Sequence, residues 1–263
     1  MIEKHIRKFI LKMKKHQFLF EELVKRNFKR KYARTSLGML WSVLNPLLHL
    51  LVMRLVFTHF FGRTTAHYTT YLFSGNVIFS YFSESTREGM TSLADNAGIF
   101  TKINVPKYLF LLTKNVQTLI NFGLTLLVYF AFCAIDHITF TWKFLMLIYP
   151  VLLLVIFNIG TGLVLSALYI FFRDMKYFWS IFLQLLQYMS AIFYNIDTFS
   201  DQIQKYFYIN PIYLYIRYFR KIVILGEVPQ LSFHLLMLAE ALIMLLLGMF
   251  FYKKYNLKFL YYV

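Results

Sequence analysis

The stretch FLMLIYPVLLLVIFNIGTGLVLSALYIFF, residues Phe144 to Phe172, contains 29 residues and no charged side chain. About 20 consecutive apolar residues form a helix long enough to cross the hydrocarbon core of a bilayer. The whole chain agrees with this, because 59% of its 263 residues are hydrophobic and only 15% are charged. Average soluble domains are about 45–50% apolar and about 25% charged. These values exclude a soluble domain and a disordered chain, and they predict an integral membrane protein.

Five further segments are apolar over most of a span length, so the predicted fold is an all-α integral membrane protein with six transmembrane helices. Besides 144–172, the predicted spans cover residues 37–61, 68–90, 109–135, 177–194 and 233–252. The span 68–90 is the weakest by hydropathy, because it turns polar at Glu84, Arg87 and Glu88. The single cysteine, Cys133, excludes a disulfide framework.

The charge is strongly unbalanced, with 28 Lys and Arg against 12 Asp and Glu and a net charge of +16. Twelve of the basic residues precede Ser36. With six spans and a cytoplasmic N-terminus, 20 Lys and Arg fall on the cytoplasmic side and six on the other. This bias predicts that both termini are cytoplasmic. Attraction to anionic lipid headgroups explains the basic excess better than nucleic acid does, so no nucleic-acid partner is expected.

The charge pattern divides the chain into a cytoplasmic basic amphipathic interface region, 1–36, and a six-span transmembrane domain, 37–263. Apolar side chains near the N-terminus fall on one helical face: Ile2, Ile6, Phe9, Ile10 and Met13. A helix of this kind either lies in the membrane interface or packs on a partner, and the sequence leaves both possibilities open.

The segment between the fifth and sixth predicted spans, 195–232, contains apolar runs that are too short to cross a membrane. Asn210-Pro211 and Gly226 interrupt these runs. They predict short re-entrant helices on the outer side, which are tolerated in a membrane only where protein or a water-filled cavity covers them. The segment is therefore expected to border a pathway. The alternative is a helical hairpin that lies on the membrane surface.

Catalytic motifs are missing from the sequence. The chain has no Gly-Lys dipeptide and so no phosphate-binding loop, and its seven His residues and one Cys have no metal-ligand spacing. We therefore expect neither an enzyme nor a metal or cofactor site in this chain. Charged residues within the spans are the better lead. The charged residues within the spans include Glu84, Arg87, Glu88 and Glu240. Their carboxylates could serve proton-coupled transport. The alternative for Glu84, Arg87 and Glu88 is that they lie paired and hydrated near the cytoplasmic end of their span.

Three motifs, in order along the chain, resemble the membrane subunits of ABC-2-type polysaccharide exporters, a family that includes O-antigen, teichoic acid and capsule exporters. They are Glu22 to Tyr32 leading into Ser36 to Pro46; Gly162 to Asp174 followed by Tyr177 and Trp179; and Asn210-Pro211-Ile212-Tyr213. The Gly75 region and the turn Val105-Pro106-Lys107 also fit. One position and one five-residue segment depart from the family pattern. Asn27 replaces an Asp, and residues 190–194 replace a Thr-Pro-Ile-x-Tyr motif.

The resemblance implies a permease of the bacterial cytoplasmic membrane that forms a homodimer and binds two ATP-binding cassette subunits. Those subunits would bind ATP and Mg²⁺, so the permease itself would hold no cofactor. The expected cargo is a polysaccharide or teichoic acid-type polymer on a lipid, commonly undecaprenyl diphosphate; the sequence does not name the polymer. Two alternatives are an ion- or proton-coupled secondary transporter that works without an ATPase, and a membrane enzyme of lipid or glycan metabolism.

Three groups of site residues complete the prediction. The first group is a row of three arginines, each four residues from the next on a helix: Arg26, Arg30 and Arg34. This row could bind a lipid diphosphate specifically, or it could simply attract anionic lipid. Aromatic side chains that could stack on sugars, or merely pack, are Phe79, Tyr81, Phe82, Tyr188, Phe193 and Tyr194. The resemblance places ATPase coupling in residues 92–107, which we name the coupling segment, and at the turn 173–174. The predicted contacts there are Asp95, Asn96, Lys102, Arg173 and Asp174.

Overall fold

The computed structural model describes residues 11, 14–32, 35–61 and 67–262, and within them all regular structure is helical. Ten α-helices follow in chain order: α1 (Gln17–Tyr32), α2 (Trp41–Phe61), α3 (Tyr68–Thr91), α4 (Ala97–Phe100), α5 (Tyr108–Ile135), α6 (Ile148–Phe171), α7 (Met175–Met189), α8 (Asp201–Phe207), α9 (Pro211–Val223) and α10 (Leu231–Tyr255). Short 3₁₀ turns precede α6 and follow α10, at Trp142–Leu147 and Lys258–Leu260. All five residues of the predicted N-terminal apolar face lie outside the described residues.

Each of the six predicted spans contains one helix: α2, α3, α5, α6, α7 and α10. In the part of the chain that the structure describes, three helical stretches are long and apolar enough to cross a membrane, namely Tyr108–Ile135, Trp142–Phe171 and Leu231–Tyr255. The apolar part of α2, Trp41–Val56, is shorter. These helices agree with an integral membrane protein, and the count of six spans stays a prediction.

The helices form a bundle with two distinct ends. At one end, which we name the α9 end, helix α9 lies beside the starts of α3, α6 and α10. At the other, the α1 end, α1 packs on α5 next to the coupling segment. The main hydrophobic core runs through the bundle and includes α9, whereas a second buried cluster at the α1 end joins Leu23, Phe100, Phe110 and Phe259.

Two short helices, α8 and α9, lie within 195–232 as the sequence predicts, and their re-entrant position on the outer side stays a prediction. They differ in burial, because α8 has no buried residue while ten of the thirteen residues of α9 are buried. Asn210 caps α9 by accepting a hydrogen bond from the Ile212 amide (3.0 Å), and Pro211 occupies the first turn, where its missing N–H costs nothing.

Helix α7 is shorter than the predicted span 177–194. It ends at Met189, and Ala191 takes a left-handed backbone conformation (φ 51°) that an α-helix cannot continue through. The Asn210 side chain donates to the Met189 carbonyl (3.1 Å) and to Ser190 Oγ (3.0 Å) at this break. The helix therefore breaks although residues 190–194 contain no proline.

Helices α6 and α10 cross at a contact between two glycines. A Cβ on Gly160 would lie 2.5 Å from the backbone of Met244, and a Cβ on Gly248 would lie 2.6 Å from the Gly160 carbonyl oxygen. Backbone atoms cannot rotate away as a side chain can, so the two axes can approach this closely only with glycine at both positions.

We predict that Gly160→Ala destabilises the protein by about 1–3 kcal/mol, because α6 and α10 must separate to accept the methyl group. The measurement is thermal unfolding of the detergent-purified protein. Gly123→Ala on α5 is the matched control, since a Cβ there meets no atom within 4 Å. Equal melting temperatures for the two variants would contradict the close crossing.

Candidate functional site

A polar cleft of about 430 Å³ opens between α2, α3 and α7. Its lining residues are His49 from α2; Asn76, Phe79, Ser80, Ser83, Glu84, Arg87 and Glu88 from α3; and Leu183, Gln184 and Gln187 from α7. Concave sites with a few converging polar groups are the usual binding sites of proteins. The cleft therefore places hydroxyl, amide, imidazole and charged side chains together within an otherwise apolar bundle.

The weak hydropathy of the second predicted span has its explanation in this cleft. The lining residues of α3 recur at intervals of three and four from Asn76 to Glu88 and so form one stripe along the helix. The opposite side of α3 enters the main core through Ile78, Tyr81 and Phe82. Helix α3 is therefore amphipathic along the cleft, which a window average of hydropathy does not detect.

The predicted sugar-stacking residues fall into two groups. Of the three on α3, Phe79 lines the cleft, whereas Tyr81 stacks on Phe122 (4.2 Å between ring centroids) and Phe82 packs against Trp179 (6.1 Å). The other group, Tyr188, Phe193 and Tyr194, gathers where α7 ends.

At the end of α7, Tyr188 is exposed, and its backbone oxygen accepts a hydrogen bond from Tyr194 Oη (2.8 Å). The Tyr188 and Phe193 rings lie 6.2 Å apart. The backbone oxygens of Phe193 and Tyr194 accept hydrogen bonds from Tyr68 (3.0 Å) and Tyr71 (2.7 Å). These bonds join the loop after α7 to the start of α3.

Arg220 is a central residue of the α9 end that sequence reasoning missed. Its guanidinium is buried and donates to the backbone oxygens of Tyr71 (3.2 Å), Ala191 (2.9 Å) and Ile192 (3.1 Å). It also bonds to Ser74 Oγ (3.3 Å) and lies 3.4 Å from the centroid of the Tyr71 ring. Arg220 thus clamps α9 to α3 and to the break after α7.

Gly75 makes room for this clamp. A Cβ at Gly75 would lie 2.9 Å from Arg220 Nη2 and 3.3 Å from the Ile192 backbone. The family resemblance already included the Gly75 region, which is a sequence signal near this contact. Only the structure shows that Gly75 faces Arg220, which lies 145 positions further along the chain.

The carboxylates of α3 are paired with lysines of neighbouring helices. Glu84 forms an ion pair with Lys31 of α1 and also accepts a hydrogen bond from Asn121 (3.1 Å). Glu88 forms one with Lys114 of α5 (2.5 Å), and Lys114 also lies 3.5 Å from Asp95. The hypothesis of paired, partly hydrated carboxylates at this end of α3 fits this geometry, with partners from α1 and α5 in place of Arg87.

The basic row predicted for a lipid headgroup lies on α1 as far as the structure describes it. Arg26 and Arg30 are exposed, and Arg34 lies outside the described residues. Arg26 Nη2 donates a hydrogen bond to Asn96 Oδ1. The structure thereby brings together two residues that the sequence assigned to different sites, the headgroup row and the coupling segment.

The predicted coupling residues lie at the α1 end. Asp95, Lys102, Arg173 and Asp174 are exposed, whereas Asn96 is buried and donates to the Ser92 carbonyl (2.7 Å). In the coupling segment and the turn 173–174, the structure therefore presents four of the five side chains to solvent.

Lys107 ends the coupling segment and is only 9% exposed. Burial lowers the pKa of its ammonium group.

No group of three or more His, Cys, Asp and Glu side chains that could hold a metal occurs among the described residues.

Residues 19–224 match the family described as ABC-2 type transporter. The chain is 27% identical over 195 residues to the O-antigen export system permease protein RfbA of Myxococcus xanthus. The aligned residues cover 74% of this chain and 75% of that protein. A protein of the same name from Klebsiella pneumoniae is 28% identical over 200 residues, with 74% and 77% covered. The polysialic acid transport protein KpsM of Escherichia coli is 26% identical over 214 residues, with 80% and 83% covered.

We predict that Arg220→Met destabilises the protein by at least about 2 kcal/mol, because the buried carbonyl groups of Ala191 and Ile192 lose their donor. Amide hydrogen exchange should rise along α9 and at residues 190–194. Lys221→Met is the matched control, since it removes the same charge from the next, partly exposed position. Unchanged exchange in Arg220→Met would show that α9 is held by apolar packing alone.

Proposed function

The chain belongs to the ABC-2 type transporter family, and from this premise we propose that it is the permease subunit of an ATP-driven exporter of a lipid-linked polysaccharide or teichoic acid-type polymer. The match over residues 19–224 confirms the family resemblance of the entry motif. Members of this family are transport subunits and not enzymes. The relatives named as permeases for O-antigen and as a polysialic acid transport protein support a polymeric glycan cargo.

The polar cleft is the observation that carries this proposal. A polysaccharide is hydrophilic and can cross a bilayer only along a polar surface, and the hydroxyl, amide and imidazole groups of the cleft provide hydrogen-bond partners of that kind. Phe79 adds an aromatic face beside them. Among the described residues, one copy of the chain lines the cleft with α2, α3 and α7, and we propose that a second copy completes the pathway in a homodimer.

The proposed membrane arrangement has six spans, with the α1 end in the cytoplasm and the α9 end outside. The concentration of Lys and Arg before Ser36 supports this orientation. Helix α7 has 15 residues and a length of about 22 Å, less than the hydrocarbon thickness of about 30 Å. We propose that residues 190–200 and α8 complete this span in the outer leaflet, with α9 buried beside them as a re-entrant gate.

The energy for export would come from two copies of a separate ATP-binding cassette subunit that holds ATP and Mg²⁺. The missing phosphate-binding loop supports this division of labour. The exposed residues of the coupling segment and of the turn 173–174 lie at the same end of the bundle and would receive that subunit. An undecaprenyl diphosphate carrier would meet Arg26 and Arg30 at the cytoplasmic surface.

Proton- or ion-coupled transport without an ATPase is the second candidate, and one observation favours it. Glu240 Oε2 in α10 is buried, and no described residue offers it a hydrogen bond. Glu84 and Glu88, in contrast, are already paired with lysines.

The two functions separate in one transport experiment. We predict that cells or proteoliposomes export polymer only when the chain is assembled with an active ATP-binding subunit, and that export continues when an ionophore collapses the proton gradient. Glu240→Gln should export at the wild-type rate. Export that persists with an ATPase-inactive partner, or that stops with Glu240→Gln, would favour the proton-coupled alternative.

The headgroup assignment is tested by a change that keeps charge and alters geometry. Arginine can bind a diphosphate with two parallel hydrogen bonds, which lysine cannot. We predict that the double variant Arg26→Lys with Arg30→Lys lowers export several-fold at unchanged membrane insertion and ATPase assembly. The control is Lys25→Arg with Lys29→Arg on the same exposed helix. Normal export in the Arg→Lys double variant would show that these arginines attract anionic lipid by charge alone and do not bind a diphosphate specifically.

A further inference from the structure

Lys107 occupies an unusual position at the end of the coupling segment. Its ammonium group donates to the Asn256 backbone carbonyl and to Asn256 Oδ1 (3.3 Å). It also lies 5.8 Å from the Phe100 ring centroid and 5.7 Å from that of Phe259, within range of a cation–π interaction. No described carboxylate lies within ion-pair distance of it. A buried lysine is thus satisfied entirely by a helix end and two rings.

The partner of Lys107 is the end of α10. Carbonyl groups at a helix C-terminus have no intrahelical donor, and the helix dipole makes this end attractive to a cation. Asn256 caps α10, and the turn that follows it buries Phe259 completely against Tyr252 (5.4 Å between ring centroids) and Phe171 (6.0 Å). We name residues 256–260 the C-terminal segment. It lies beyond residues 19–224, which match the family.

The coupling segment is therefore held at both of its ends. Near its start, Asn96 accepts a hydrogen bond from Arg26 of α1, and Asp95 lies 3.5 Å from Lys114 of α5. At its other end, Lys107 ties it to α10 through the C-terminal segment. A displacement of this segment would therefore also displace α10. Helix α10 is in close backbone contact with α6 at Gly160 and Gly248, so α6 would move with it.

We propose that Lys107 is a positioning residue for energy coupling, and that the C-terminal segment with Phe259 links the coupling segment to α10 so that ATP hydrolysis drives movement of the bundle. This inference rests on the proposed function. It adds a component that the family match does not cover, since the C-terminal segment would act as part of the coupling device.

The experiment measures two rates in the purified complex of the permease with its ATP-binding subunit: ATP hydrolysed and polymer exported. We expect Lys107→Met to retain ATP hydrolysis within about two-fold of wild type and to lower export at least five-fold. The number of ATP molecules hydrolysed per exported polymer should rise accordingly. Lys107→Arg should restore at least half of the export, because arginine keeps the charge, the donors and the ring contacts.

Lys253→Met is the matched control, as it removes an exposed lysine from α10 close to Asn256 and should change neither rate. A purely structural role of Lys107 would lower the amount of assembled complex and leave the ratio of the two rates unchanged. That result, or wild-type export by Lys107→Met, would overturn the inference. If Lys107→Met is not recovered from membranes, the same ratio in Phe259→Leu decides, because leucine keeps the apolar contact and removes the ring.

The inference and the proposed function fail in different ways. A wild-type chain that exports no polymer together with an active ATP-binding subunit would contradict the proposed function. A wild-type chain that exports polymer while Lys107→Met keeps the wild-type ratio would contradict the inference alone.

Discussion

Backbone carbonyl groups that lose their helical partners inside a membrane protein must find other donors, and here two buried cations supply them. Arg220 donates to the Ala191 and Ile192 carbonyls in the break after α7, and Lys107 donates to the carbonyl at the end of α10. Aromatic rings complete both sites, and no described carboxylate pairs with either cation. Replacing such a cation by an apolar residue leaves acceptors without donors, which distinguishes these sites from buried ion pairs, where both partners can be exchanged for apolar residues at little cost. The irregular segments at both ends of the bundle depend on this one type of contact.

The cations around the cleft behave differently. Lys31 and Lys114 belong to α1 and α5, and both pair with carboxylates of α3 that line the cleft. These pairs are partly exposed, so water screens them and each contributes little to stability. Their effect is to set the charge at the mouth of the cleft, since the glutamates are matched by lysine while Arg87 also lines the opening. The α1 end therefore carries exposed arginines on α1 together with lysine-paired carboxylates in the cleft.

Hydropathy predicted α5, α6 and α10 well, because their apolar stretches exceed 20 residues and the bilayer thickness fixes that length. It predicted α7 less well. The break at Ala191 follows from hydrogen bonds with Asn210 and Arg220, which lie 19 and 29 positions further along the chain, and a pattern of neighbouring residues contains no trace of them. The same limit applies to the sites. The sequence and the family resemblance suggested Phe79 as a sugar-stacking candidate and Asp95 and Asn96 as coupling contacts. They could not suggest the Arg26–Asn96 and Lys107–Asn256 contacts, which join segments 70 and 149 positions apart.

Helix α3 is the element that connects these contacts. It has 24 residues and a length of about 36 Å, with the Arg220 clamp in its first turns and the coupling segment directly after its last. The cleft lies between them, along the polar stripe of the same helix. Helix α3 is uninterrupted between these points and a helix resists compression, so a displacement that moves α3 along its axis must also move Tyr71 and Ser74 against Arg220. Because Arg220 bonds to the loop after α7 as well, the two walls of the cleft that α3 and α7 form cannot move independently at the α9 end. Separation of α3 from α7 at this end of the cleft is therefore expected to break the hydrogen bonds of Arg220, which also hold α9.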